Sequence, residues 1–140
     1  MNYLLDTNAC IALMAPSKNA VQARFARAFR NGDRFFVSVI AAFELWYGVH
    51  KSARPVENTK RCQTFFSGPI GVVPFEDAAA KIAGEIRARL ESVGKPIGAY
   101  DLLLAGQAMY HNMTLVTANV REFSRVKGLK WEDWSRGKIP

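Results

Sequence analysis

Short apolar runs alternate along this chain with longer stretches in which apolar residues recur every three or four positions. Tyr3-Leu4-Leu5, Phe35-Phe36-Val37, Ile70-Gly71-Val72-Val73 and Thr114-Leu115-Val116-Thr117 are the short runs, and each predicts a buried strand. Leu129 to Trp131 is a candidate fifth. Between them the spacing predicts a short helix over Ala9 to Met14, ended before Pro16. Ser17 is the expected cap of the next helix, with Val21, Phe25 and Phe29 on one face and Asn31-Gly32 as its stop. Ser38 is the expected cap of a helix reaching about His50. Further helices are expected over about 56–66, 77–92 and 99–111, with Arg54-Pro55 and Gly94-Lys95-Pro96 as breaks.

Strands separated by helices imply an α/β fold with a mainly parallel sheet. The expectation is one three-layer α/β/α domain over residues 1–140, with four or five short strands. No internal repeat or low-complexity tract interrupts it.

The 49% hydrophobic and 22% charged fractions are those of a globular domain. Nineteen Lys and Arg against twelve Asp and Glu give a net charge of +7, which suits a polyanionic partner, nucleic acid first. Cys10 and Cys62 are too few for a disulfide scaffold and lack zinc-like spacing, so free thiols of a reducing cytosol are expected. No basic segment precedes the first apolar run, and no window reaches eighteen apolar residues. A cytoplasmic protein without a membrane partner is the expectation.

Three carboxylates break this polar–apolar order. Asp6 follows Tyr3-Leu4-Leu5, Glu44 stands between Phe43 and Leu45-Trp46, and Asp101 precedes Leu102-Leu103-Leu104. No Lys or Arg lies within three residues of any of them. A carboxylate in an apolar setting costs several kcal/mol in order of magnitude to desolvate unless something compensates it. Taken singly, Asp6 also fits a strand-end helix cap, and Asp101 an ordinary first-turn acid. Glu44 has no capping role in mid-helix. A face shared with Ile40, Tyr47 and Gly48 is expected to turn it toward the core. Ligand sites of open parallel sheets lie beyond the carboxyl ends of the strands, where Asp6 and Asn119 fall. A shared metal ion is the simplest compensation for the three acids together.

The sequence around these acids resembles the PIN-domain ribonucleases, and in particular the VapC-type toxins of type II toxin–antitoxin pairs. The resemblance rests on Asp6-Thr7-Asn8, Ser38 to Gly48 around Glu44, Gly98-Ala99-Tyr100-Asp101-Leu102-Leu103-Leu104-Ala105, and Leu115-Val116-Thr117-Ala118-Asn119-Val120-Arg121-Glu122-Phe123. It extends through Gly128 to Trp134 and so covers essentially the whole chain. It implies an α/β/α fold with Asp6, Glu44 and Asp101 around Mg2+ or Mn2+. Asn119 stands where the family often has a fourth acid, which removes one charge and weakens the case for two filled metal sites. Thr7, Asn8, Thr117 and Glu122 are implied as assisting groups, and Asn119 as a group that positions water or metal. The implied activity is Mg2+-dependent endoribonucleolytic cleavage by an activated water. The implied partners are RNA (tRNA or another structured RNA), a VapB-type antitoxin covering the acidic pocket, and a second copy in a homodimer.

For RNA contact, Lys51, Arg54, Lys60 and Arg61 cluster near the helix bearing Glu44, and Tyr100 is placed to stack on a base. Arg24, Arg27 and Arg30 form a stripe that reads as a solvated face. His50 and His111 lack the setting of a histidine-pair nuclease. A haloacid-dehalogenase-type phosphatase needs an acid where Asn8 stands, and a receiver domain needs adjacent acids early in the chain. A basic nucleic-acid-binding module with a vestigial acidic site is the non-enzymatic alternative.

Overall fold

The computed structural model describes residues 1–136; positions 137–140, which the sequence reading includes in the domain, lie outside the described residues. The strands are β1 (Asn2–Leu5), β2 (Arg34–Ser38), β3 (Ile70–Val73), β4 (Thr114–Val116) and β5 (Trp131–Glu132). They form one sheet in the order β3-β2-β1-β4-β5, and every pairing is parallel. The sheet is therefore wholly parallel, and its fifth strand begins at Trp131 rather than at Leu129.

The central strands are apolar throughout because both faces are covered. Tyr3, Leu5, Phe35, Val37 and Val116 join one core with α1 (Thr7–Met14), α2 (Ala20–Arg30), α3 (Val39–Lys51) and α4 (Pro55–Phe66). Leu4 and Leu115 join the other with α5 (Asp77–Ser92), α6 (Ala99–Tyr110) and the four-residue α7 (Val120–Phe123). The three layers expected from the sequence are present. Among the described residues no helix is long and apolar enough to cross a membrane.

Two expectations about α2 need correction. Its cap is Asn19, not Ser17: the Asn19 Oδ1 accepts from Gln22 N at 2.9 Å, while Nδ2 donates to Ala12 O at 2.8 Å. That second bond ties α2 to the end of α1, which Ser17 does not do. Val21 is buried, but Phe29 is 52% exposed and only stacks along Phe25. The helix stop is as expected. Gly32 takes φ +82°, and Asp33 N reaches back to Ala28 O at 3.1 Å.

The strand order reverses between β1 and β4. Ligands of open α/β sheets settle at such a switch point, beyond the carboxyl ends of the strands. The chain puts Asp6 at the end of β1 and Thr117-Ala118-Asn119 at the end of β4.

Candidate active site

Asp6 serves the fold and the site together. It caps α1, with Oδ1 accepting from Ala9 N at 2.8 Å, and is only 7% exposed. Burial pushes its carboxyl above the usual range, while the Ala9 N–H and the Thr117 hydroxyl pull it back and the nearby charges of Glu44 and Asp133 push it further up.

Asp101 lies in the first turn of α6, half-buried beside the buried Leu102. Desolvation, followed by the influence of Glu122, Asp6 and Glu44, raises its carboxyl to about 7. The neighbouring Glu122 moves the other way. Its interaction with Asp101 lowers it first, helped by Asn119, the Gly98 backbone N–H and Arg125. The two carboxyls act directly on each other, Asp101 pushed toward its neutral form and Glu122 toward its charged form.

Asn119 links them, with Nδ2 3.3 Å from Asp101 Oδ2 and 3.0 Å from Glu122 Oε2. Its own backbone N–H donates to the Thr117 hydroxyl at 3.0 Å. Thr7 Oγ1 donates to Glu44 Oε1 at 2.9 Å. Gly98 caps α6 without a side chain. A Cβ there would make ordinary contact, 3.6 Å from Asp101 Oδ2 and 4.0 Å from Glu122 Oε2.

Glu44 does not face the core as the sequence reading expects. The buried stripe of α3 is Ala41, Leu45 and Val49, one position round the helix, while Glu44 is half-buried at the rim with Tyr47 exposed beside it. It lines an apolar groove of about 410 Å³ whose walls include Ile11, Met14, Leu45, Val49 and Arg61.

The RNA-contact candidates scatter. Arg61 reaches the Glu44 groove. Arg54 and Arg61 both lean on Glu57, at 3.4 and 4.0 Å. Lys51 lies over the Tyr47 ring at 5.6 Å, and Lys60 is exposed on α4. Tyr100 packs edge-on against Phe43, with ring centroids 5.8 Å apart. Asn8 is exposed and lines a smaller pocket with Thr117, Asp133 and Ser135. Arg24 is not the solvated residue expected: it binds Glu132 and the Tyr3 hydroxyl and covers Trp134.

Asp133 escapes the sequence reading although its charge reaches Asp6. It follows β5 as Asp6 follows β1, and a two-residue strand gives too little pattern to predict that end. α7, which carries Arg121 and Glu122, is missed for the same reason.

The donors gathered here are all oxygens: four carboxylates, the Asn119 amide and two threonine hydroxyls. Such a set fits a hard divalent cation, and the raised Asp101 carboxyl marks charge that a cation would relieve. Among the described residues no three His, Cys, Asp or Glu side chains close into a ready-made cage. Mg2+ needs none, since one or two carboxylates and its own waters satisfy it.

Known proteins carry the same plan. The PIN domain family matches residues 3–129. The chain is 38% identical to the tRNA(fMet)-specific endonuclease VapC of Shigella flexneri over 135 residues, covering 96% of this chain and 99% of that one. It is 34% identical to Ribonuclease VapC2 of Rickettsia felis over 136 residues, 97% of this chain and 100% of the relative. Among solved structures, VapBC2 of Rickettsia felis bound to a promoter DNA fragment superposes with a TM-score of 0.88 at 34% identity, over 96% and 99% of the two chains. DNA-bound VapBC of Salmonella typhimurium gives 0.86 at 36% identity, over 96% and 98%. The chain belongs to the PIN-domain family and, within it, to the VapC ribonucleases.

Proposed function

We propose that this ribonuclease is a Mg2+-dependent endoribonuclease, with Mn2+ as a possible substitute, and the toxin of a VapBC-type pair. The observation that carries the reading is the Asp101 carboxyl. It is held at about 7 by burial and by three neighbouring acids, at the switch point of the sheet. Clustered carboxylates with so little cationic compensation suit a site made for a cation and a phosphodiester.

Asp6, Glu44 and Asp101 would hold the ion, with Asn119 and Glu122 beside them. When bound, the ion neutralises phosphodiester charge and lowers the pKa of water. The protein's own groups set the stage. The Ala9 N–H and the Thr117 hydroxyl fix Asp6, Thr7 fixes Glu44, and the Asn119 amide donates to both Asp101 and Glu122. Gly98 keeps the entrance clear of side-chain atoms.

The substrate is RNA, and tRNA is the class to try first because the Shigella relative bears that specificity in its name. The partner is a VapB-type antitoxin, by likeness to the VapBC assemblies. The apolar groove that ends at Glu44 suits an antitoxin segment which would cover the acids. The exposed Val39, Phe43, Tyr47 and Tyr100 form an apolar patch suited to a homodimer contact.

The test is cleavage of bulk tRNA by purified protein in Mg2+ and in EDTA, with Asp6→Asn and Asp101→Asn alongside. Cutting by the wild type in Mg2+ alone is expected. Cutting that persists in EDTA and in both variants refutes the metal mechanism. Tight metal-independent binding without any cutting favours the vestigial-site alternative.

A further inference from the structure

A second charged cleft opens beside the first site, between α2 and the turn that follows β5. It has a volume of about 440 Å³ and is lined by Ala20, Ala23, Arg24, Arg27, Glu132, Asp133, Trp134 and Arg136. Three guanidinium groups face two carboxylates there, and the carboxylates are already engaged. Glu132 Oε1 accepts from Arg24 at 3.3 Å and from the Trp134 indole at 2.9 Å. Asp133 Oδ1 accepts from the Ser135 backbone and hydroxyl, and Oδ2 lies 3.3 Å from Arg136 Nε.

The donors are in surplus. Arg24 is held in place by the Tyr3 hydroxyl at 3.2 Å and by the Trp134 ring 5.0 Å away, yet only one of its terminal nitrogens makes these bonds. Arg27, one turn along α2, makes no ion pair among the described residues. A guanidinium presents five N–H donors in a planar fork that matches phosphate oxygens. Two such forks one helical turn apart, one of them locked, form a preorganised site for a tetrahedral oxyanion.

The cleft also adjoins the acids. Asp133 and Trp134 line both this cleft and the smaller pocket that holds Asn8, Thr117 and Ala118. Asn8, in the first turn of α1, and Thr117, just past β4, each stand two residues from Asp6 and Asn119 respectively. A chain of phosphates leaving the acidic site across Asn8 and Ala118 would run into the arginine cleft. The small Ala20 and Ala23 leave its wall open.

The geometry points to Arg24 and Arg27, with Arg136, as a subsite for a backbone phosphate of the RNA substrate, away from the bond that is cut. The inference rests on the ribonuclease reading. It also reverses the order of the basic clusters, because Arg54 and Arg61 share the Glu57 carboxylate while Arg27 has no such partner among the described residues.

Arg27→Glu and Arg27→Ala test it, since Arg27 is exposed and supports no core contact. Lys81→Glu, exposed on α5, is the charge-matched control. Binding of labelled bulk tRNA is followed by fluorescence anisotropy in EDTA across a salt series, with circular dichroism to confirm folding. Arg27→Glu is expected to weaken binding about tenfold, and Arg27→Ala to lower the slope of log K against log salt by about one. In Mg2+, KM for tRNA should rise with kcat within about twofold, as for a contact made equally in ground and transition states. If the wild type cuts tRNA but Arg27→Glu matches Lys81→Glu in affinity and slope, the subsite is wrong and the ribonuclease reading stands. A fall in kcat at unchanged KM also overturns it. If the wild type neither binds nor cuts tRNA, tRNA is the wrong substrate and the subsite proposed for its backbone falls with it.

Discussion

Replacing Asp101 by Asn should stabilise the metal-free protein while abolishing its activity. The side chain sits among Asp6, Glu44 and Glu122, and its carboxyl is raised from the ordinary 3.8 to about 7. That difference corresponds to about 4 kcal/mol of repulsion and desolvation borne by the charged form, at about 1.4 kcal/mol for each tenfold. Asp101 is only half-buried, so solvent screening reduces the figure to about 1–2 kcal/mol. Asn copies the neutral carboxyl: it can donate to Glu122 and accept from Asn119 Nδ2 where Asp101 Oδ2 does now. Because the folded-state pKa lies above the unfolded one, the stability carried by the neutral group is complete below about pH 4 and is lost as the pH rises through 7. The advantage of Asp101→Asn should therefore grow from pH 4 to 7 and level off above. At pH 8 in EDTA it should amount to roughly 3–7 °C in Tm, read by differential scanning calorimetry. Added Mg2+ should raise the wild-type Tm by mass action and move the variant little. A variant less stable than wild type at pH 8, or equally favoured at pH 4, refutes the electrostatic reasoning.

Asn119→Asp exchanges two donated hydrogen bonds for a further negative charge; it should lower the EDTA-treated Tm and tighten Mg2+ binding in a calorimetric titration. Gly106→Ala should cost about 1–3 kcal/mol in urea unfolding, because the new Cβ would lie 2.7 Å from Ala79 O and 2.9 Å from Ala83 where α5 crosses α6. Specific activity per folded molecule should survive that change. Burial pushes the Cys10 and Cys62 thiols up, so neither should react with a disulfide reagent in the native protein at pH 7, and both should react in guanidinium.

Much of this was legible in the sequence because strands buried on both faces leave unbroken apolar runs. β1, β2 and β4 stand where Tyr3-Leu4-Leu5, Phe35-Phe36-Val37 and Thr114-Leu115-Val116 predict them, and Asp6 and Asn119 follow from strand ends alone. What misled was rotation about a helix axis. The α3 core stripe runs through Ala41, whose small side chain gives a weak hydrophobic signal beside the larger Ile40 and Tyr47. Glu44 is thereby assigned to the wrong face by one position. Asn19 and Ser17 are equally good caps by type, and a contact with Ala12 decides between them. Asp133 and the role of Arg24 depend on β5, two residues long, docking against β4 and bringing Trp134 over Tyr3. No local pattern encodes that approach.

The neutral residue at position 119 then has a physical explanation. A fourth acid there would face Asp101 and Glu122, where the cation acting on Glu122 is Arg125, which spends one nitrogen on Pro96 O at 3.0 Å. An amide instead donates to both carboxylates, so the metal-free fold carries two hydrogen bonds in place of a third repulsive charge. The contact with Asp101, helped by the Asn119 amide, favours the charged form of Glu122, while desolvation and Glu122 favour the neutral form of Asp101. On the metal reading proposed above, asymmetry between two adjacent acids, rather than their number, would let the fold form without a cation and still offer one a charged carboxylate. The cost is affinity, since each carboxylate removed from a hard-cation site weakens its hold.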